Sequence, residues 1–338
     1  MNGNMKKVLV IGGGGYCGSL LVPQLLEEGW DVTVFDILVW YGSAHLPTGN
    51  PKLRVIQGDV RDAEQIAVAC VGQDSVLHLA CISNDASFEL DERLSTSVNL
   101  ESIEPVVIAA KNAGVKRFVF ASSSSVYGVS DSPDVTEDHP LVPLTLYNKY
   151  KGMCEPLLLK HTDENFVGVI FRPATVCGYA PRQRLDLSVN ILTNHAVNKR
   201  KITVYGGSQL RPNLHVQDYA DLCKLLLAAP DEKIANQIFN CGFQNLSIMD
   251  IAKVVKKVVE EEFPENGTIS IETTSSDDLR SYHINSSKIK GSLGFEPKHS
   301  VEDAVRGLCE AFRQGKLPDS FDDDRYYNVR TMKAVGAE

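Results

Sequence analysis

The chain has 338 residues, 43% of them apolar and 23% charged, and its 34 Lys and Arg against 43 Asp and Glu leave a net charge of −9. That length supports one large α/β domain or a domain with a smaller lobe, and the apolar share supplies a packed core. The acidic balance argues against a nucleic-acid binder, which carries a basic face, but leaves room for an anionic small molecule held by a few local arginines.

The first half alternates strands and helices. Residues 7–11 are a β-branched run ending in glycine, so the opening MNGNMKKVLVIGGGG reads as a strand entering a turn rather than a signal peptide. Residues 16–28 place Leu20, Leu21, Leu25 and Leu26 at helical spacing, and Gly29 ends the run. Strands are predicted over 31–35 and 53–57, a helix over 62–71, and a buried strand over 75–79. A long helix follows over 94–113, then a strand over 117–122, a helix over 147–161 and a strand over 166–171. Strands separated by helices predict a doubly wound parallel sheet of Rossmann type, covered on both faces.

After Pro173 the rhythm loosens. Short strands at 202–205, 237–240 and 268–272 mix with helices near 216–229, 247–261, 286–293 and 300–315. The expected organisation is a dinucleotide-binding domain over 1–175 and a mainly substrate-binding, mixed α/β lobe over 176–315, some of whose segments return to the sheet. A polar tail over 316–338 is either a disordered end or a strap. Apolar runs are too short to cross a bilayer, which takes about 20 residues, and a cytoplasmic protein is expected. The eight cysteines, Cys17, Cys70, Cys81, Cys154, Cys177, Cys223, Cys241 and Cys309, form no C-x-x-C pair and sit mostly in apolar runs. They read as reduced, buried thiols, with no metal site.

At the first strand-to-helix junction, Gly12, Gly15 and Gly18 are spaced three apart within GGGGYCG. Glycine allows a tight turn and close approach to a pyrophosphate, and the helix amino terminus offers free N–H groups. Asp36, at the end of the second strand, can accept hydrogen bonds from both hydroxyls of an adenosine ribose and repels a 2′-phosphate, which favours NAD over NADP. Asp59, in GDVRD, is read either as a partner of the adenine amino group or as a helix cap.

Four serines, Ser122, Ser123, Ser124 and Ser125, end the strand that begins at Arg117. Downstream, Tyr147 and Lys151 are four apart and share a helix face. An ammonium lowers a neighbouring phenol's pKa from about 10. The phenol can then act as a base on a sugar hydroxyl while a serine holds the same oxygen.

Taken together, GGGGYCG, Asp36, GDVRD, VLHLA, Asn99, SSSSVYG, Y-x-x-x-K, FRPATVCG and RPNLHVQDYA resemble the extended short-chain dehydrogenase/reductase family, in its nucleotide-sugar epimerase/dehydratase branch, from Gly12 to about Leu308. The resemblance implies catalysis by Ser123, Tyr147 and Lys151. It implies NAD as cofactor, held by Gly12, Gly15, Tyr16, Cys17, Gly18, Asp36, Asp59, Val60, Leu79, Ala80, Asn99, Ser122, Tyr147, Lys151 and Pro173. It further implies a homodimer paired through a four-helix bundle of the helices at 94–113 and 147–161. The chain departs from the branch in two ways. Its 4,6-dehydratases carry Asp and Glu after the catalytic hydroxyl, where this chain has Ser124 and Ser125. The usual Asn and aromatic after the R-P-A strand are Thr175 and Cys177.

The substrate expected is a nucleotide-diphosphate sugar. Arg211 and Arg280 are placed on its diphosphate by the resemblance; Arg184 competes with Arg182 for a similar role, since guanidinium groups grip phosphate oxygens in pairs. Ser83, Ser123, Ser124 and Thr175 complete the candidate sugar contacts. Asn84 and Asp85 are read equally as loop residues, and His215 as structural. The reading favoured is an epimerase at carbon 4 of the hexose. Its rivals are a 4-dehydrogenase or ketoreductase acting on a modified sugar, to which the PRQRLDL segment points, and a non-catalytic NAD sensor.

Overall fold

A computed structural model describes residues 6–334 apart from 39–41, 84, 131, 133 and 277–280. Along the chain, β1 (Lys7–Ile11) leads through the glycine turn into α1 (Tyr16–Glu27), followed by β2 (Asp31–Asp36) and β3 (Leu53–Gln57). Next come α2 (Ala63–Cys70), β4 (Ser75–His78), the short α3 (Asp85–Phe88) and α4 (Glu92–Thr96), a π-helical segment Ser97–Glu101, and α5 (Ile103–Asn112). Then follow β5 (Arg117–Ala121), α6 (Leu146–Leu159), β6 (Val167–Pro173), β7 (Thr175–Cys177) and α7 (Ser188–Lys199). The second half continues with β8 (Lys201–Tyr205), β9 (Leu210–His215), α8 (Val216–Ala228), β10 (Gln237–Cys241), β11 (Gln244–Ser247) and β12 (Ser270–Thr274).

The main sheet has seven strands in the order β10-β6-β5-β4-β1-β2-β3, all parallel. Successive side chains of a strand point to opposite faces. Val8 and Val10 accordingly join one core with Leu21 and Leu25 of α1 and Leu222 and Leu226 of α8. Leu9 and Ile11 join the other, with Ile66 of α2, Val106 and Val107 of α5 and Leu158 of α6. The expected doubly wound sheet is present.

The expected long helix over 94–113 is broken into α4, the π segment and α5. Pro105 has no N–H to give and its ring crowds the carbonyl four residues back, that of Glu101. The Ser102 N–H instead reaches back five residues to the Ser97 carbonyl (3.1 Å), a π-type bond just before the proline.

Beyond β6 the chain leaves and re-enters the sheet. β10, expected among the short strands of the lobe, pairs along β6, with Gln237 opposite Val169 and Cys241 opposite Pro173. The lobe proper has its own core of α7, β8 and the helices Ile248–Glu262 and Val301–Arg313. It also carries the sheets β11-β9-β7 and β12-β8. The tail is a strap. It packs Leu317, Tyr326 and Tyr327 against Leu185 and Leu308, then runs as a helix, Asn328–Ala334, that buries Met332 against Ile82 and Leu94. All eight cysteines are unpaired thiols, with Cys17 and Cys81 half-buried and the rest buried. No helix among the described residues is long and apolar enough to cross a membrane, and no group of three or more His, Cys, Asp or Glu there could hold a metal ion.

Candidate active site

A cavity of about 850 Å³ opens over the carboxyl ends of the sheet strands, where open α/β sheets bind ligands. One end is built by the glycine turn. Gly12 has φ +84°, and a Cβ on it would lie 2.5 Å from the Ala80 nitrogen; a Cβ on Gly18 would lie 2.4 Å from the Gly13 carbonyl oxygen. Only glycine lets the turn lie flat under the cavity floor. No side chain caps the amino terminus of α1, and Gly15, Tyr16 and Cys17 line the cavity there. At the edge, Asp36 accepts hydrogen bonds from the Gly14 N–H (2.9 Å) and the Leu38 N–H (3.0 Å). Burial raises its carboxyl pKa, and these two bonds pull against that. An uncapped helix start, a glycine-only floor and a carboxylate at the end of β2 are the donor and acceptor set a dinucleotide requires.

Val60, Leu79, Ala80, Ser122 and Pro173 also line the cavity. Asp59 lines it while paired to Arg61 (2.6 Å); the helix cap there is Asp62, which accepts from the Glu64 and Gln65 N–H groups. Asn99 does not line it. The π segment turns its amide onto the Ile82 backbone, donating to the carbonyl and accepting from the N–H, both at 2.8 Å. Its part is to pin the loop after β4. His215 caps α8 by accepting from the Gln217 N–H.

The helix α6 starts at a capping Thr145, and its spacing turns Tyr147 and Lys151 into the cavity together. Ser123 caps the short turn Ser124–Tyr127 and shares a 2.7 Å hydrogen bond with the Ser125 hydroxyl. Lys151 is buried, donates to the Ala121 carbonyl (2.8 Å) and lies 5.1 Å from the Phe120 ring centre. Burial, then Cys81 and Asp85, push the Tyr147 phenol well above its ordinary range, and the cation that opposes them is Arg184. Beneath the serines, Ser122 donates to Glu155 (2.6 Å), and Glu155 is clamped by Arg172 through two bonds of 2.9 and 2.6 Å.

At the other end, Arg184 is bound to Asp186 (2.9 Å) and donates to the Ser83 hydroxyl (2.9 Å). Thr175, on β7, and Ser124 line the same space, and the buried Ser124 hydroxyl has no hydrogen-bond partner among the described residues. Cys177 lies instead in the core of the lobe. Arg211 lines the cavity with its guanidinium 5.8 Å from the Tyr282 ring centre; Arg280 and Asn84 fall outside the described residues. Sequence reasoning missed Asp186, Tyr282 and above all Asn328. From the strap, Asn328 accepts from Arg182 (2.8 Å), donates to Ser83 (2.9 Å) and gives its backbone N–H to Asp186 (3.1 Å). Arg182, named only as a rival of Arg184, is buried here as well.

Residues 8–242 match the NAD dependent epimerase/dehydratase family. The chain belongs to that family. It is an NAD-dependent enzyme of the extended short-chain dehydrogenase/reductase type, and the site's donor set fits that cofactor. Among its relatives, the UDP-glucose 4-epimerase of Lactobacillus helveticus is 29% identical over 322 residues, 88% of this chain and 94% of its own. The dTDP-glucose 4,6-dehydratase of Streptomyces griseus is 28% identical over 308 residues, 88% of this chain and 91% of its own. Of solved structures, MoeE5 in complex with UDP-glucose and NAD superposes with a TM-score of 0.77 at 27% identity, covering 91% of this chain and 99% of its own. Members of this family close to the chain thus include both isomerases and dehydratases, and at such identities the reaction and the sugar have to be argued from the site.

Proposed function

We propose that the chain is a nucleotide-sugar epimerase acting at carbon 4 of a nucleotide-diphospho-hexose. The observation that supports this over dehydration is the pair after Ser123. Removing water needs an acid to protonate the leaving hydroxyl and a base at carbon 5. Ser124 and Ser125 supply neither, and Ser125 is tied to Ser123 (2.7 Å). Asp85, the carboxylate beside Tyr147, accepts a hydrogen bond from Thr145.

In the proposed reaction Tyr147 takes the proton from the carbon-4 hydroxyl, Ser123 holds the same oxygen, and Lys151 positions the cofactor ribose. Bound NAD supplies a hydride acceptor that returns what it takes. The sugar turns in the site between the two transfers, Tyr147 gives its proton back, and the net change is inversion at one carbon. Arg211 holds the diphosphate, while Ser83, Ser124, Thr175 and Arg184 face the sugar. A homodimer through α5 and α6 fits the exposed Ile108 and Met153 on those helices, and light scattering tests it.

The deciding experiment is proton NMR of a nucleotide-sugar panel with catalytic enzyme and no added cofactor, with absorbance at 340 nm followed in parallel. A stereoisomer formed over many turnovers without lasting absorbance supports the epimerase. One equivalent of NADH per site with a trapped keto-sugar makes the enzyme a dehydrogenase instead.

A further inference from the structure

Arg182, a rival of Arg184 in the sequence, lies near the first turn of α1. Its backbone N–H donates to the Ser19 hydroxyl (3.1 Å), which anchors it to the first turns of α1. Its side chain is buried and lines the same cavity as Gly12, Gly15 and Cys17. Asp36 and Cys17, which line the same cavity, both lie within reach of its charge. A ligand laid from Asp36, the ribose acceptor, across the amino terminus of α1 puts its pyrophosphate between those two points. Arg184, by contrast, is bound to Asp186 and Ser83 and faces Tyr147.

We propose that Arg182 is a cofactor-binding residue that closes on the dinucleotide pyrophosphate from the side opposite the glycine turn, and that Asn328 of the C-terminal strap is its positioning residue. The Asn328 amide spans two elements, accepting from Arg182 (2.8 Å) and donating to Ser83 on the loop after β4 (2.9 Å). The strap thereby fastens the far lobe to the Rossmann half across the cavity. Burial, then the charge of Arg184, bring Arg182 well below its usual range, which is the condition of a cation that an anionic ligand would steady. NAD held between a helix amino terminus and a latched guanidinium leaves slowly, as a redox-neutral epimerase requires. In that respect the inference rests on the proposed function, although the binding role does not.

The test measures NAD itself rather than turnover. Full-length protein is loaded with NAD, its content is read from the nucleotide released on denaturation, and release is timed against excess unlabelled NAD. Arg182→Ala and Asn328→Ala are each expected to release NAD about 10- to 100-fold faster, the range for loss of a charge-assisted hydrogen bond. Asn328→Asp keeps the acceptor for Arg182 and is expected to return release to near the wild-type rate, which a general loosening of the strap would not do. Wild-type release from Arg182→Ala, with affinity lost for the nucleotide sugar instead, overturns the proposal and gives Arg182 to the substrate. If release changes as expected but the NMR panel shows no epimer, the proposed reaction fails and the cofactor role stands.

Discussion

Glu155 and Arg172 form a buried, two-pronged ion pair that ties the helix bearing Tyr147 and Lys151 to β6, and Glu155 also accepts from Ser122, next to the proposed catalytic Ser123. Arg172 donates in addition to the Tyr127 hydroxyl (2.6 Å), which donates to Asn240 on β10 (2.7 Å). Removing one partner of such a pair leaves a bare buried charge. Glu155→Ala is expected to lower stability by about 3–5 kcal/mol. The double variant Glu155→Leu/Arg172→Met should recover most of that loss in urea unfolding while leaving the serine loop less well placed and turnover reduced.

Tyr147→Phe removes the proposed acid/base hydroxyl and leaves the glycine turn untouched. Turnover is expected to fall by about 10²- to 10⁴-fold, followed by NMR, with NAD content at the wild-type level. Normal turnover would rule Tyr147 out as the proton acceptor.

Gly18→Ala is expected to weaken both NAD binding and stability. The added carbon would lie 2.4 Å from the Gly13 carbonyl oxygen, a backbone atom that cannot rotate away. The turn must open, and its N–H groups then miss the pyrophosphate. Calorimetric titration with NAD should show affinity reduced about tenfold or more.

His78 predicts an acid limit. It is fully buried between Phe118 and Phe120 (ring centres 6.1 and 5.7 Å away), and burial, then Lys151, lower its pKa from 6.5 to about 3. The folded protein therefore holds it neutral while the unfolded chain binds a proton below pH 6.5. Its contribution to stability is complete above that pH and is lost as pH falls toward 3, at a limiting slope of about 1.4 kcal/mol per pH unit. Unfolding midpoints measured from pH 7 to pH 4 should fall less steeply in His78→Leu.

The parts of the fold legible in the sequence are those written locally. The β1-turn-α1 unit shows in a β-branched run, a glycine cluster and leucines at helical spacing. The Tyr147–Lys151 pair shows because four residues make one helix turn. Other parts depend on what the chain meets later. Nothing near Asn328 ties it to Ser83, and nothing near Arg182 ties it to Ser19; both contacts arise only when the strap and the lobe fold back. Asn99 reads as a cofactor contact, and only the folded π segment shows its amide on Ile82.

The seventh strand has a bearing on how the protein is made. β6 gains its outer neighbour only when β10 arrives, with residues 174–236 threaded between them. During synthesis the first half can fold long before that neighbour leaves the ribosome, and for that interval β6 offers its hydrogen-bonding edge to any extended chain nearby. Fragments ending soon after α7 would carry that edge permanently. Expression of the first half alone should therefore yield inclusion bodies, and β10 is as much a cover for nascent protein as a member of the finished sheet.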